Sequence, residues 1–257
     1  MTNFEKWIAF RTIFVKEARR FLRIWPQTLL PPAITMTLYF VIFGALIGSR
    51  IGEMGGFSYM QFVVPGLIMM AVVTNSYSNV VSSFFGAKFN HSVEELLVSP
   101  VPNWIILAGY TAGGVSRGLL VALIVTCLSL FFADLSIHSL GLTVGMVIFT
   151  SVLFALFGFI NAVFANNFDD ISIIPTFVLT PLTYLGGVFY SLELLPDFWE
   201  GVSRLNPLVY VVNGFRYGVL GVSDVNVTLS FGMIVLFTVV AFSYCLYLLH
   251  TGKRLRQ

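Results

Sequence analysis

The sequence predicts an all-α membrane protein with six transmembrane helices. Three observations predict this class: of the 257 residues, 57% are hydrophobic and only 10% are charged, and the mean hydropathy is +0.89. Soluble domains carry roughly a quarter charged residues. The net charge of +2 is too small to indicate nucleic-acid binding, so we expect no nucleic-acid partner.

Six apolar segments are long enough to cross a bilayer, which takes about 20 residues at about 1.5 Å rise each. The third has 29 residues, or about 43 Å of helix, so we expect it to protrude from the hydrocarbon or to be broken. No internal repeat is evident. The predicted spans are 27–48, 59–84, 104–132, 138–165, 170–190 and 228–250.

Residues 1–26 predict an amphipathic helix rather than a signal peptide, because basic residues interrupt the stretch and no small-residue cleavage site follows it. Such a helix fits the membrane interface, and packing on the protein surface is compatible with that position. Its apolar stripe comprises Phe4, Trp7, Ile8, Phe14, Val15, Ala18, Phe21, Leu22 and Trp25.

The distribution of lysine and arginine predicts that both termini are cytoplasmic. With the N-terminus inside, the external segments hold only Arg50, Arg204 and Arg216, and Arg117 falls within a span. The internal segments hold the other ten, Lys6, Arg11, Lys16, Arg19, Arg20, Arg23, Lys88, Lys253, Arg254 and Arg256. The loop between the second and third spans is then cytoplasmic.

That loop contains a short helix signal. Ser92 followed by Glu95 predicts a capping box, and Pro100 and Pro102 prevent the helix from continuing. At helical spacing one face is an apolar ridge and Glu94 and Glu95 point away from it. The ridge comprises Val93, Leu96 and Leu97.

Two roles are open for this helix. It is either a linker lying on the bilayer or a docking element for a cytoplasmic protein. Paired glutamates favour the second role, since helices that touch lipid headgroups favour lysine and arginine. The chain has no phosphate-binding loop of its own, because its four lysines are followed by Trp7, Glu17, Phe89 and Arg254 rather than by serine or threonine.

The second span carries a polar stretch, Thr74–Asn79, without any charge. Asn75 and Asn79 share one face, and Thr74 and Ser78 share an adjacent one. These side chains either hold neighbouring helices together by hydrogen bonds or line a substrate route at a dimer interface.

Arg117 is a basic residue inside the long third span. It either reaches the membrane surface by extending its side chain or forms an ion pair with Asp169 or Asp170 in the other short cytoplasmic loop.

The external segment 191–227 is too short for two spans and too apolar for a free loop. It predicts a pair of re-entrant or interfacial helices broken near Asn206-Pro207, acting either as a gate or as a structural lid. No metal-binding or nucleophile motif is present, since His91, His138 and His250 lie on different segments. We therefore expect no catalytic or metal-ligating residue and no enzyme activity.

Three segments resemble the permease subunits of type-2 ABC exporters: the N-terminal amphipathic helix, Glu94 to Pro100 ("EELLVSP"), and Gly186 to Arg216. The resemblance covers nearly the whole chain, and the last segment is the most specific. Family members often have Arg and Gly-Thr where this chain has Lys88 followed by Phe-Asn-His-Ser. The last segment's matching positions are Gly186, Gly187, Pro196, Asn206, Pro207, Tyr210 and Arg216.

The resemblance implies one transmembrane domain, 1–257, in a bacterial inner membrane. Ser92 to Pro100 would be a coupling helix resting on a separate ATP-binding subunit, and two permeases would pair. ATP and Mg would bind the partner, with no cofactor on this chain, and the exported substrate would be lipid-linked, glycan or drug-like. Its parts would be 1–26 (interfacial), 27–190 (spans one to five), 191–227 (external), 228–250 (span six) and 251–257 (tail).

Two other classes remain open. A secondary transporter or channel would need no ATPase, but it predicts ionisable residues at the membrane midplane, where the spans offer almost none apart from Arg117. The third class is a membrane subunit that anchors other proteins without transporting anything.

Overall fold

The computed structural model describes residues 1–252, 254 and 255, which form a helical protein with one short β-hairpin. Lys253 and Arg256 of the predicted tail lie outside the described residues. The predicted all-α membrane class is confirmed. Among the described residues five helical stretches are long and apolar enough to cross a membrane, namely Trp25–Gly48, Tyr59–Phe89, Asn103–Ser129, Leu140–Phe164 and Val227–Thr251.

The N-terminal half alternates short and long elements. Helix α1 starts with a capping box between Thr2 and Glu5, which fixes its first turn. A π-helical stretch, Val41–Gly48, follows α3, and a tight turn at Gly55-Gly56 joins two short antiparallel strands. The elements are α1 (Asn3–Arg23), α2 (Trp25–Thr28), α3 (Leu30–Phe40), α4 (Ser49–Ile51), β1 (Glu53–Met54), β2 (Phe57–Ser58), α5 (Tyr59–Phe89) and α6 (Ser92–Val98).

The C-terminal half contains three more long helices and a set of short ones. They are α7 (Asn103–Ser129), α8 (Leu140–Phe164), α9 (Asp170–Ile174), α10 (Thr180–Tyr184), α11 (Asp197–Arg204), α12 (Pro207–Leu220) and α13 (Val227–Thr251). A π-helical turn, Pro175–Leu179, joins α9 to α10, and a single 3₁₀ turn, Leu192–Leu194, precedes α11.

The predicted fifth span, 170–190, is the element that differs most from expectation. Only residues 170–184 are helical, and this stretch is not among the five long apolar helices. Pro175 and Pro181 lack the backbone N–H that an α-helix interior requires, so the helix loosens into a π-helical turn. Fifteen residues reach about 22 Å, short of the roughly 30 Å hydrocarbon core.

Helix α5 is the centre of the bundle, with most of its side chains buried against α7 and α8. Two glycines allow these helices to approach closely. A Cβ at Gly158 of α8 would meet the carbonyl oxygen of Tyr77 at 2.5 Å, and one at Gly114 of α7 would meet Val80 at 2.7 Å. Small residues at such crossings are typical of helix packing in membranes.

Candidate functional site

The turn between α5 and α6 is held by the last turn of α5. Lys88 is buried, and its Nζ donates to the carbonyl oxygens of Val163 and Ala165, each at 2.7 Å. These carbonyls end α8, where a cation also interacts favourably with the helix dipole. Lys88 therefore ties the α5–α6 turn to the end of α8.

A helix forms where the sequence predicts one, but the predicted capping box is wrong. Helix α6 begins at Ser92, and the residue before it, His91, adopts a left-handed conformation with φ 58°. The Ser92 hydroxyl donates to the carbonyl oxygen of Ala87 at 3.0 Å instead of capping Glu95. The sharp left-handed turn moves the cap position one residue towards the N-terminus, so Ser92 is already inside the helix.

The predicted apolar ridge of α6 faces the protein. Val93 is 2% exposed, and Leu96 and Leu97 are half-buried against the hydrophobic core. Glu95 and Pro100 are exposed, as expected for the outer face. Val98 is 87% exposed, so the end of α6 presents an apolar side chain outward.

The loop between α8 and α9, which the sequence also predicts to be cytoplasmic, packs against the end of α5. Phe168 contacts Phe85 and Phe89, with ring centroids 5.0 Å apart in both pairs. The Asp170 carboxylate accepts hydrogen bonds from the backbone N–H groups of Asn166 and Asn167 at 2.8 and 3.3 Å. We use the name tip surface for six of the exposed residues at these two loops, namely Phe89, His91, Glu95, Val98, Pro100 and Phe168.

The polar stretch of α5 divides into two faces. Asn75 and Asn79 are buried, and their side-chain oxygens accept hydrogen bonds from Arg117 at 2.9 Å and from Arg20 at 3.0 Å. Both amides therefore hold neighbouring helices. Thr74 is exposed and Ser78 is half-buried on the adjacent face, as the helical spacing predicts.

Arg117 has partners other than the predicted ones. It donates to Asn75 and to the carbonyl oxygen of Thr28 at 3.2 Å. Among the described residues, no ion pair joins Arg117 to Asp169 or Asp170. Arg117 lies well inside α7, whereas Asp170 is occupied at the start of α9, so the predicted pair is corrected to a link between α7, α5 and α2.

The uncovered face of α5 is a regular stripe. Every fourth residue is at least partly exposed along a helix that is otherwise mostly buried. This spacing places each residue next to the one before it, in a row that winds gradually around the helix. The stripe, which we call the α5 stripe, comprises Met70, Thr74, Ser78, Ser82 and Gly86.

The packed face of α1 shares only Phe21 with the predicted apolar stripe. Ile13, Glu17 and Phe21 are buried, whereas most of the predicted stripe is exposed. Close approach to α7 explains this face, because a Cβ at Gly109 or Gly113 would lie 2.6 Å from Ile13 or 2.5 Å from Glu17. The exposed apolar residues of α1 and the following turn are Phe4, Trp7, Ile8, Leu22 and Trp25.

Glu17 and Arg20 form a polar contact that the sequence prediction missed. The Glu17 carboxylate is fully buried, and Arg20 approaches it at 3.4 Å while donating to the backbone oxygen of Asn79 at 2.7 Å. Arg20 also reaches the hydroxyl of Ser82 on the α5 stripe at 3.4 Å. The i, i+3 spacing of Glu17 and Arg20 was visible in the sequence, but their burial depends on the glycines of α7.

The comparisons with known proteins agree with the family resemblance seen in the sequence. The profile of the family described as "ABC-2 type transporter" matches residues 8–220. The chain belongs to the ABC-2 type transporter family. It is 61% identical over 251 residues to "Inner membrane transport permease YadH" of Escherichia coli (strain K12), covering 98% of each chain. It is also 24% identical over 236 residues to "Nodulation protein J" of Neorhizobium galegae, covering 91% of this chain and 89% of that one.

Membership of the ABC-2 family makes the chain a membrane permease of an ABC transporter, a transport subunit with several spans in the inner membrane. The family also implies an ATP-binding partner subunit. Within the described residues, no group of three His, Cys, Asp or Glu side chains could hold a metal ion.

In residues 191–227, which the sequence predicts to be external, hydrogen bonds hold both sides of the break near Asn206-Pro207. Asn206 caps α12 by accepting from the backbone N–H of Leu208, and its amide donates to the carbonyl oxygen of Leu182 at 2.6 Å. The Tyr210 hydroxyl donates to the carbonyl oxygen of Arg204 at 2.7 Å. Pro196 precedes α11 in an extended conformation, so Pro196, Asn206 and Tyr210 each lie at a helix boundary or bridge one.

Arg216 of the permease is completely buried near the N-terminal end of α5. Its guanidinium donates to the carbonyl oxygen of Gly187 at 2.5 Å and to that of Phe62 at 3.3 Å. Asp224 lies 3.9 Å from it and accepts from the Ser191 hydroxyl and the Leu192 N–H, both at 2.9 Å. Asp224 was missed because its partners are far from it in sequence and only the fold brings them together.

Proposed function

We propose that this permease is the membrane subunit of an ATP-driven exporter, in which two copies of the chain act with a separate ATP-binding subunit. The observation that carries the proposal is the tip surface. Val98 projects an apolar side chain that is 87% exposed, and Glu95 and Phe89 of the same surface are exposed as well. An apolar knob with a charged border is typical of a protein interface.

The length of α5 and the distribution of basic residues support a cytoplasmic position for the tip surface. Helix α5 has 31 residues, which correspond to about 46 Å, and the hydrocarbon core is about 30 Å thick. About one third of α5 must therefore extend beyond the hydrocarbon. The excess of lysine and arginine in residues 1–26 and in the C-terminal tail, together with Lys88, favours the cytoplasmic side for both termini and for the tip surface.

The contacts of α6 and of the last turn of α5 support a rigid connection between the tip surface and the rest of the helical bundle. A force on α6 reaches α8 through the buried Lys88 and reaches α5 through Val93. From α5 it reaches α1 through the bond between Asn79 and Arg20. The tip surface, α8 and α1 would then move together when the ATP-binding subunit changes its conformation.

The transport route of the proposal runs along the α5 stripe, between two copies of the chain. Thr74, Ser78 and Ser82 offer hydroxyls without charge, which suits a lipid-linked, glycan or drug-like substrate. The elements beside the stripe, α3 and residues 170–184, expose large apolar side chains that a second copy would cover. These include Ile34, Leu38, Ile173, Phe177 and Val178.

The remaining assignments complete six spans per copy. Residues 170–184 would cross the bilayer with help from the second copy, which can satisfy a broken helix inside the protein. Residues 191–227 would form the external re-entrant gate, and 1–26 the interfacial helix. ATP and Mg would bind the partner subunit, so this chain would need no cofactor.

The test is affinity purification of the full chain from native membranes, followed by mass spectrometry and an ATPase assay. We expect an ATP-binding subunit to co-purify, and Val98→Asp combined with Glu95→Lys to reduce its recovery at least tenfold. Leu205→Asp is the matched control, because Leu205 is 84% exposed at the external segment. A chain that purifies alone, with no ATPase activity and no effect of the tip variant, would instead support a secondary transporter or channel.

A further inference from the structure

An apolar groove of about 750 Å³ runs between α1 and the outer faces of α7, α8 and α13. One wall is a row of aromatic rings on α1, with centroids 5.8 Å apart between Trp7 and Phe10 and 6.2 Å apart between Phe10 and Phe14. Small side chains such as Ala108 and Ala112 of α7 form the floor. The groove is therefore apolar, and it follows α1 from Trp7 to Val15 and α7 from Ala108 to Leu119.

Cationic side chains lie at the edge of the groove. Arg11 lines it directly, and an adjoining hollow of about 400 Å³ contains Lys6 beside Trp104. In the part of the chain that the structure describes, neither the Arg11 side chain nor the Lys6 side chain makes a hydrogen bond or an ion pair. Both carboxylates of α1 are engaged, Glu5 in the capping box and Glu17 with Arg20.

We propose that the groove binds one anionic phospholipid of the inner leaflet. Its acyl chain would lie along Trp7, Phe10 and Phe14, and its phosphate would accept hydrogen bonds from Arg11. The proposal rests on the cytoplasmic, interfacial position of α1 in the proposed function.

The charge of the groove selects this occupant. An apolar helix of a protein partner would fit the walls, but it would leave Arg11 and Lys6 without counter-charge. A zwitterionic lipid would supply the acyl chain and only weak attraction for the two cations. An anionic phospholipid supplies both an acyl chain for the apolar walls and a negative charge for the two cations. Basic residues near a membrane surface attract such lipids. Aromatic rings beside the headgroup region are typical of interfacial anchors.

The experiment uses the fluorescence of Trp7, which lines the groove. The full chain carries Trp25→Phe, Trp104→Phe and Trp199→Phe, so that Trp7 is its one tryptophan, since the chain has four. It is placed in nanodiscs of phosphatidylcholine with a minor fraction of phosphatidylglycerol. Bromine, which quenches tryptophan, is carried on the acyl chains of one lipid or of the other.

We expect brominated phosphatidylglycerol to quench Trp7 well beyond its share of the bilayer. Arg11→Gln should reduce that preference about fivefold, the effect of one basic residue at a membrane surface. Arg19→Gln is the matched control, because Arg19 is exposed on the same helix but does not line the groove. Ala112→Phe should lower quenching by both lipids by filling the floor, whereas Leu123→Phe on the exposed face of α7 should leave it unchanged.

Three results would overturn the proposal. If both lipids quench Trp7 equally and Arg11→Gln changes nothing, then Trp7 contacts the surrounding bilayer lipid without selection. Quenching that survives Ala112→Phe would place the acyl chain outside the groove. Loss of quenching on forming the complex with the ATP-binding subunit would mean a protein occupant. Co-purification of that subunit is measured in the same variants, so a failed lipid site with intact co-purification leaves the proposed function standing.

Discussion

The guanidinium of Arg216 lies 3.9 Å from the centre of the Phe62 ring, and both side chains are buried. The contact joins α12 to the N-terminal end of the central helix α5. The same guanidinium binds two backbone carbonyl oxygens and faces Asp224. One cation thus fixes the external segment to the helix whose other end carries the tip surface.

Arg216→Lys should therefore destabilise the protein, by about 3 kcal/mol, because lysine cannot supply the planar fork of donors and leaves Asp224 poorly compensated. The measurement is the midpoint of thermal denaturation of the purified chain in detergent. Arg204→Lys is the control, since the Arg204–Glu200 pair is largely exposed and such pairs contribute about 0–1 kcal/mol. Equal midpoints for the two variants would contradict the importance of the Arg216 site.

The two faces of the polar stretch should respond differently to the same substitution. Asn75→Leu removes the side-chain acceptor of the half-buried Arg117 and leaves it the carbonyl oxygen of Thr28, and losing a hydrogen bond to a charged group costs about 2 kcal/mol. Thr74→Leu, one residue away on the exposed α5 stripe, should keep stability and impair transport. Thermal denaturation and the ATPase activity of the reconstituted complex separate the two effects. A stable Asn75→Leu variant would count against the packing role of that amide.

The sequence was sufficient to predict the long helices. The spans 104–132, 138–165 and 228–250 match α7, α8 and α13 within a few residues, because length and hydropathy are local properties. The end of α6 was also predictable, since Pro100 and Pro102 stop a helix wherever it lies.

The faces of the short helices could not be predicted in the same way. Val93, Leu96 and Leu97 form a ridge on any helix, but whether it faces a partner or the chain depends on the left-handed turn at His91 and on Lys88 reaching α8. Arg117 likewise donates to the carbonyl oxygen of Thr28, which is 89 residues away, rather than to the aspartates that the sequence suggested. Contacts of this kind need the tertiary fold.

The turn at His91 makes a further prediction. Its φ of 58° is costly for any residue with a Cβ, by about 1–2 kcal/mol, and especially for a β-branched one. His91→Gly should therefore keep or raise the denaturation midpoint, and His91→Val should lower it and reduce recovery of the ATP-binding subunit. If both variants retain the wild-type midpoint and recovery, the left-handed turn does not position α6.

The contact between α1 and α7 gives a pair of substitutions with opposite expected signs. Gly113→Ala places a Cβ 2.5 Å from the Cβ of Glu17, against a buried helix face that cannot yield easily, so α1 should be displaced. Gly145→Ala meets nothing within 4 Å on α8, and alanine there should stabilise the helix by up to about 1 kcal/mol.

Trypsin provides the measurement, because α1 carries exposed cleavage sites at Lys16 and Arg19. Displacement of α1 exposes its backbone, so Gly113→Ala should be cut in α1 several-fold faster than the wild type, and Gly145→Ala should not. Addition of the ATP-binding subunit should slow both reactions if the tip surface and α1 move as one unit. Faster cleavage of Gly145→Ala, or unchanged cleavage of Gly113→Ala, would mean that the α1–α7 contact does not hold the N-terminal helix.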